Sequence, residues 1–248
     1  MAALLALAIA VAVASGCHSN AKPEEPLVFA AASTAEALSE IGKKFEADRG
    51  IHVRFSFGAT RDLARQVRAG APVDILVSAD PDTVDALEKD GAVRPADRRV
   101  LMSNSLVIIV PKDGSAEIHI ADDLKKVAHL AIGDPATVPA GSYAEKWLRK
   151  IGLWDDVKDH LVPSVEVRAA MAAVEAGRAE AGIVYRTDAA VSTKSRVAFD
   201  VPADSAPSIA YVAARIKASN NATAVPFFEY LFSQDAHAVF LRRGFAIP

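Results

Sequence analysis

Cysteine is almost absent from this sequence, since Cys17 is the single one in 248 residues. One thiol excludes an internal disulfide framework and a metal site built from several cysteines. The six histidines never fall in close pairs, which argues against a histidine metal site. The sequence therefore offers no recognisable set of metal ligands.

A strong charge bias and the common catalytic signatures are missing as well. The formal net charge is −3, so no basic field indicates a nucleic acid or an anionic membrane surface as a partner. The sequence contains no G-x-S-x-G elbow, H-E-x-x-H zinc motif, G-x-x-x-x-G-K-[ST] phosphate loop or G-x-G-x-x-G dinucleotide motif. Hydrophobic residues make up 51%, enough for a large core or for two small α/β domains.

The one long apolar run lies at the start, over Ala2–Ala14. It is too short to span a bilayer comfortably but suits the core of a secretory signal. Small residues lead into Cys17 as in a bacterial lipoprotein processing site, although Ala14 stands where leucine is commoner and no Lys or Arg precedes the run. We therefore expect a signal peptide with a lipobox-like end over 1–17, a polar tether over 18–26, and a periplasmic or cell-surface location. Whether Cys17 carries a lipid stays open.

From residue 27 onward, strand-like and helix-like segments alternate along the chain. Three strand–helix pairs are followed by the β-prone run Leu106–Val110, a second alternating series, the long strand Ile209–Ala214 and two amphipathic helices. This alternation predicts doubly wound parallel sheets, whose ligands bind at the carboxyl ends of strands. We expect two α/β lobes joined by two hinge strands, with lobe 1 over 27–105 plus 208–248 and lobe 2 over 106–207.

The first strand-to-helix junction lies at Ser33. An apolar strand ends there, and Glu36 follows three residues later, as in a capping box. The pattern predicts Ser33 as the N-cap of a helix, with unpaired backbone N–H groups beside its hydroxyl. Such a place suits an anion, because the N–H groups and the helix dipole direct positive charge at it. Taken alone, the pattern favours an ordinary helix cap over an anion site.

Three further junctions share the same character, with small side chains that leave backbone N–H groups accessible to an anion. We expect Thr60 to cap one helix, and Ser142 with Glu145 to form a second capping box. Each junction alone is most often only a helix start. The three segments are Phe57–Asp62, Gly133–Ser142 and Val165–Arg168.

Two other features have both a functional and a structural interpretation. Asp80 and Asp82 flank Pro81 and have the spacing of a possible acid/base pair, but a loop followed by a helix start is the better explanation. Tyr185 follows Gly182-Ile-Val at the end of a predicted strand. Its hydroxyl is available to a ligand, or the residue is a half-buried interface tyrosine.

Several motifs together resemble the molybdate-binding proteins of bacterial ABC importers. The resemblance runs in the same order from Leu27 to the C-terminus. The motifs are Phe29-Ala-Ala-Ala-Ser33, Leu63-Ala-Arg-Gln66 with Gly70-Ala-Pro72, Ser78-Ala-Asp80, Gly133-Asp-Pro135 with Val138-Pro-Ala-Gly141, Gly182-Ile-Val-Tyr185, and Asn220-Asn221-Ala222.

The resemblance implies a type II periplasmic-binding-protein fold with a tetrahedral dianion held between the lobes by neutral donors. In lobe 1 the implied donors are Ser33, through hydroxyl and N–H, and Thr60. In lobe 2 they are the backbone N–H groups of Ala140 and Val167 and the hydroxyl of Tyr185. The family usually has serine, within a serine-rich run, where this chain has Ala59-Thr60-Arg61.

Two arginines beside the implied site are additional candidates. Arg61 is able to add charge-assisted bonds to the oxyanion, or to point to solvent and pair with Asp62 or a carboxylate of the facing lobe. Arg168 follows an implied donor, and either stabilises the closed cleft or lies on a helix surface.

The implied function is capture of molybdate and tungstate for delivery to an ABC permease and its ATPase, with no cofactor, no catalysis and a monomeric chain. A membrane contact is expected only through an N-terminal lipid. One alternative is a binder of another tetrahedral oxyanion such as sulfate on the same fold. An exported hydrolase is a second alternative, which would need a nucleophile with an adjacent base. A sensory or scaffold lipoprotein that has lost transport is a third.

Overall fold

The computed structural model describes residues 24–248. The predicted signal peptide, Cys17 and most of the predicted tether lie outside the described residues. Within residues 24–248, no helix combines the length and the apolar character needed to cross a bilayer.

Strands from both ends of the described chain form the first sheet. Its order is β2-β1-β3-β10-β4, in which β2, β1 and β3 are parallel and β10 runs antiparallel to β3 and β4. The parallel part follows from the alternation of strand and helix, because each helix carries the chain back along the sheet. The bounds are β1 Leu27–Ala31, β2 Arg54–Gly58, β3 Ile75–Ser78, β4 Arg98–Ser103 and β10 Ala210–Arg215.

The middle of the chain forms the second sheet, in the order β7-β6-β8-β5-β9. Here β7, β6 and β8 are parallel, and β5 is antiparallel to its neighbours β8 and β9. Strands β3 and β8 are buried along their whole lengths, as expected for central strands covered on both faces. The bounds are β5 Leu106–Pro111, β6 Leu130–Gly133, β7 Leu161–Ser164, β8 Ala181–Tyr185 and β9 Ser195–Asp200.

Helices cover both sheets, and most of them follow the carboxyl end of a parallel strand. The α-helices are α1 Ala35–Arg49, α2 Thr60–Arg68, α3 Pro81–Lys89, α4 Pro139–Lys150, α5 Trp154–Val157, α6 Val167–Glu175, α7 Arg186–Val191, α8 Ala224–Tyr230 and α9 Gln234–Arg242. Four 3-10 turns span Ala32–Thr34, Pro95–Asp97, Ala121–Lys126 and Lys158–His160.

Two crossovers join the sheets, one between β4 and β5 and one between β9 and β10. We call the layers around the first sheet lobe 1 and those around the second lobe 2. The two-lobed α/β fold expected from the sequence is therefore present. The mixed strand direction departs from an all-parallel sheet, because the chain enters lobe 2 on β5 and returns to lobe 1 on β10.

Helix α4 begins three residues before the sequence predicts. The predicted helix starts at Ser142, whereas the structure starts it at Pro139. A proline fits the first helical position, because its missing N–H would be unpaired there anyway. The earlier start brings the backbone of Ala140 into the first turn and makes Gly141 a helical residue.

Gly141 allows α4 to lie against the end of β6. A Cβ atom at this position would be 1.8 Å from the carbonyl oxygen of Gly133 and 2.6 Å from its carbonyl carbon. Because these atoms belong to the backbone, no side-chain rotation relieves the overlap. The close approach fixes the first turn of α4 at the carboxyl end of the strand.

Gly141→Ala is therefore expected to destabilise the fold by about 2 kcal/mol or more, since the methyl forces α4 away from β6. A glycine-to-alanine change in an unconstrained helix acts in the opposite direction, by about 1 kcal/mol. Urea unfolding of variant and wild type gives the sign. Gly58→Ala is the matched control, since its Cβ would meet only Leu63, at 3.6 Å. A Gly141→Ala protein as stable as wild type would contradict the close approach.

Candidate functional site

A small cavity lies between the lobes at the carboxyl ends of β1, β2 and β8. Its volume is about 10 Å³, close to the minimum that one water molecule needs. Residues from both lobes line it. They are Ala31, Ala32, Ser33, Gly58, Ala59, Thr60, Ala79, Val138, Pro139, Ala140, Val167 and Tyr185.

The structure brings the five predicted donors together around this one cavity. They come from five different elements, widely separated in the chain. Ser33 lies in the 3-10 turn after β1, Thr60 begins α2, Ala140 is in the first turn of α4, Val167 begins α6, and Tyr185 ends β8. All five are buried, with exposed fractions between 0% and 4%.

Three predicted caps are wrong. Thr34, not Ser33, is the N-cap of α1, because a 3-10 turn intervenes between β1 and the helix. Ser142 lies inside α4, whose N-cap is Val138. Thr60 is likewise the first residue of α2 rather than its cap, which is Ala59.

The helix starts around the cavity lack side-chain caps in the described part of the chain. The N-cap residues are Ala59 for α2, Val138 for α4 and Glu166 for α6, and no side chain of these three accepts a bond from the first turn. By contrast, Asp80 caps α3 through the Thr83 N–H at 2.6 Å. First-turn N–H groups without caps present partial positive charge to the cavity.

The cavity lining is neutral, since Tyr185 is its one ionisable residue among residues 24–248. Burial raises the pKa of the Tyr185 hydroxyl well above its usual value, so the group keeps its proton. This hydroxyl has no hydrogen-bond partner among the described residues, although the residue is 1% exposed. A buried orphan hydroxyl is costly, and its place in the lining makes it available to a bound group.

The Thr60 hydroxyl also has a proton to give. Its oxygen accepts a hydrogen bond from the backbone N–H of Ala79, at 3.1 Å. Because that bond occupies a lone pair and leaves the hydroxyl proton unused, Thr60 remains able to donate.

Arg61 is not part of the cavity lining. Its guanidinium donates to the carbonyl oxygens of Pro135 and Ala136 at 2.8 and 2.9 Å, across the cleft in lobe 2. Its Nε also lies 3.9 Å from the Asp80 carboxylate. The structure therefore places Arg61 as a bridge between the lobes, outside the cavity lining.

Arg168 joins the lobes on another side. Its guanidinium donates to both oxygens of Glu36 in α1, at 3.0 and 2.6 Å, while its Nε lies 2.5 Å from the Asp188 carboxylate. The Arg168 side chain is 18% exposed, that of Glu36 38%, and that of Asp188 fully buried. Arg168 thus has one partner in the facing lobe and one in its own lobe.

The acidic pair considered from the sequence has a structural role at Asp80. Its carboxylate bonds to the backbone N–H and hydroxyl of Thr83, and so holds the start of α3. Within residues 24–248, no cluster of three or more histidine, cysteine or acidic residues is placed to hold a metal ion.

Sequence reasoning missed Tyr211, which contacts the lining residue Ser33, and Asn104, which contacts Tyr211. The Tyr211 hydroxyl lies 2.9 Å from Ser33 Oγ, and the Asn104 side chain donates to that hydroxyl at 3.3 Å. A tyrosine inside an apolar strand carries no sequence signal of such a contact, because 178 residues separate it from Ser33.

The two partners of Arg168 predict two different stability effects. Arg168→Gln leaves the buried Asp188 without its cation and is expected to cost about 3–5 kcal/mol. Glu36→Gln breaks only the more exposed pair, so we expect less than about 1 kcal/mol. Denaturant unfolding of both variants measures the difference. Equal losses would show that Asp188 does not depend on Arg168.

Asp188 also gives stability a pH dependence of defined sign. Burial raises the pKa of its carboxyl to about 6, although Arg168 lowers it. Since the folded pKa exceeds the unfolded one, this contribution is present at low pH and is lost as pH rises through about 6. The free energy of unfolding of wild type, minus that of Asp188→Asn, is expected to fall between about pH 4 and pH 7. A difference that increases over this range would contradict the shift.

Comparisons with known proteins show which family the chain belongs to. The family model for bacterial extracellular solute-binding proteins matches residues 26–246. The molybdate-binding protein ModA of Escherichia coli is 39% identical, over 89% of this chain and 88% of that protein. The ModA protein of Haemophilus influenzae is 40% identical, over 99% of each chain.

A solved structure shares the fold. The periplasmic molybdate-binding protein of Azotobacter vinelandii superposes with a TM-score of 0.81, covering 90% of this chain and all of that one at 23% identity. The agreement of family model, relatives and fold extends over nearly all of residues 24–248. The chain belongs to the family of bacterial extracellular solute-binding proteins that includes the ModA molybdate-binding proteins.

Proposed function

We propose that this chain captures molybdate, and tungstate as well, in the cavity between its lobes and presents the ion to an ABC permease with its ATPase. The observation that carries the proposal is the convergence of Ser33, Thr60, Ala140, Val167 and Tyr185 on one neutral cavity. The names of the ModA relatives support the choice of ion.

The proposed binding uses hydrogen bonds in place of a counter-charge. Hydroxyl groups of Ser33, Thr60 and Tyr185 and backbone N–H groups of Ala140 and Val167 would donate to the oxygens of the ion. Helix N-termini and oriented amides stabilise anions in this way. A dianion in such a cavity has a donor for its oxygens from each lobe, so binding favours the closed arrangement.

Selectivity follows from the cost of an unpaired donor. An ion too small for the cavity leaves buried donors without partners, at about 1–3 kcal/mol each. Hydrogenphosphate brings a further problem, because its proton would face donors instead of acceptors. We therefore expect sulfate and phosphate to bind weakly.

The remaining parts of the proposal concern the chain in the cell. Capture and release need no chemical change of the ion, so the proposed protein is not an enzyme and uses no cofactor. We further propose export by the N-terminal segment, action as a monomer, and Cys17 as the residue to test for a lipid anchor. Globomycin, which blocks lipoprotein signal processing, would shift the mobility of the chain on a gel only if Cys17 is lipidated.

Titration calorimetry of the purified full-length chain tests the ion. We expect tight binding of molybdate and tungstate and little heat with sulfate or phosphate at the same concentrations. A stronger signal with sulfate would favour the alternative oxyanion. No detectable binding heat with any of the four ions would overturn the proposed function.

Tyr185→Phe separates ligand binding from folding. We expect a loss of about 10- to 100-fold in molybdate affinity, since one bond to a charged group disappears. Stability of the ligand-free protein should stay equal or increase, because the hydroxyl has no partner there. Tyr230→Phe is the matched control, as its hydroxyl bonds to Asp48 away from the cavity, at 3.0 Å. Unchanged affinity in Tyr185→Phe would exclude this hydroxyl from the site.

A further inference from the structure

A hydrogen-bonded row of three side chains leads from the crossover between the lobes to the cavity. Asn104 lies in the crossover between β4 and β5, and Tyr211 is a fully buried residue of β10. The Asn104 Nδ2 donates to the Tyr211 hydroxyl at 3.3 Å, and that hydroxyl lies 2.9 Å from Ser33 Oγ. Only Ser33 of the three lines the cavity. We call this row the Asn104–Tyr211–Ser33 relay.

The orientation of the Asn104 amide is fixed by its neighbours. Its Oδ1 accepts the backbone N–H of Ser105 at 2.9 Å. Its Nδ2 therefore faces the other way, where it donates to Thr187 Oγ1 at 2.8 Å as well as to Tyr211. Reversing the amide would set its NH₂ group against the Ser105 N–H, donor against donor.

This orientation determines the direction of the bond between Tyr211 and Ser33. The Tyr211 oxygen accepts from Asn104, and Ser33 Oγ is the one acceptor that residues 24–248 offer to the Tyr211 proton. If Ser33 donated instead, a proton would be buried without a partner, which costs about 1–3 kcal/mol. Burial also holds the pKa of Tyr211 far above its usual value, so the hydroxyl keeps that proton. Ser33 Oγ therefore accepts from Tyr211, and its own proton is free for the cavity.

We propose that Asn104 and Tyr211 are positioning residues that orient the Ser33 hydroxyl with its proton toward the cavity, and so make the site discriminate against oxyanions that carry a proton. The inference rests on the proposed function and deepens it. The Thr60 hydroxyl is oriented in the same way by a different donor, since its oxygen accepts a hydrogen bond from the Ala79 N–H. A protonated oxyanion would then meet both lobe 1 hydroxyls with their protons turned toward it, each with one of its two lone pairs already occupied.

Asn104→Asp tests the direction of the relay, because a carboxylate is nearly the same shape but only accepts. Tyr211 would donate to the new carboxylate, Ser33 would donate to Tyr211, and the Ser33 proton would leave the cavity. We expect molybdate affinity to fall at least tenfold. The added negative charge weakens anion binding too, so its effect needs a separate measurement.

The double mutant Asn104→Asp, Tyr211→Phe supplies that measurement. Without the Tyr211 hydroxyl the relay is broken, and only the effect of charge remains. We expect Asn104→Asp to cost at least fivefold less affinity in the Tyr211→Phe background than in wild type. Equal losses in both backgrounds would overturn the relay and leave charge as the explanation.

A second test compares sulfate with hydrogenphosphate near pH 8, where both are mainly dianions of similar size and differ by one proton. Each ion competes with molybdate for the full-length protein. In Tyr211→Phe the Ser33 hydroxyl is no longer held in one orientation and can turn a lone pair toward the cavity, so the preference for sulfate over hydrogenphosphate should fall at least fivefold. In a Ser33→Ala background, Tyr211→Phe should change this ratio no further. A ratio that is the same in wild type and Tyr211→Phe would overturn the proposal.

Controls keep the two hypotheses apart. Tyr230→Phe removes a tyrosine hydroxyl away from the relay and should leave the ratio unchanged, and thermal unfolding shows that each variant is folded. Wild type that binds none of the four oxyanions would overturn the proposed function together with the relay. Wild type that binds molybdate, with additive losses in the double mutant, would overturn the relay alone.

Discussion

The structure depends on bringing helix N-termini from two lobes to one cavity without filling their free N–H groups. Helices α2, α4 and α6 begin at the carboxyl ends of β2, β6 and β7 and have no side-chain caps there. Ordinarily a serine, threonine or aspartate would satisfy these groups and gain about 1 kcal/mol of stability. The missing caps are a local cost that an anion can repay, since it accepts from several starts at once.

Ionic groups hold the lobes together from outside this neutral cavity. Arg61 reaches the carbonyl oxygens of Pro135 and Ala136, and Arg168 reaches Glu36. Each contact crosses the cleft, so separation of the lobes would break it. Under the proposed function, the arginines would influence the equilibrium between open and closed forms, and the neutral donors would determine which ion fits.

Sequence reasoning predicts the strand-to-helix junctions that form the cavity, but not the helix caps and side-chain contacts around it. The junction at Ser33 is recognisable because an apolar strand stops where helical spacing begins, and parallel topology brings such junctions to one edge. The cap assignment fails because a 3-10 turn is a local choice that the Ser33/Glu36 pattern does not encode. Strand β4 is also missed, because it begins with two charged residues, Arg98 and Arg99, which do not form the apolar pattern of a buried strand. The contact between Tyr211 and Ser33 could not be predicted, because it joins distant parts of the chain.

The separation between charge and cavity has a physical reason. An arginine inside the cavity would attract any small anion by a force that falls slowly with distance and ignores shape. Hydrogen-bond donors act only at about 3 Å and along fixed directions, so they distinguish ions by size and by protons. Arg61 and Arg168 instead bind acceptors of the protein itself. Their charges therefore do not attract anions into the cavity without selection, and they still join the two lobes. For the proposed capture of an oxyanion, a neutral cavity thus favours selectivity, and the orientation of hydroxyls such as that of Ser33 becomes the property that the surrounding residues would control.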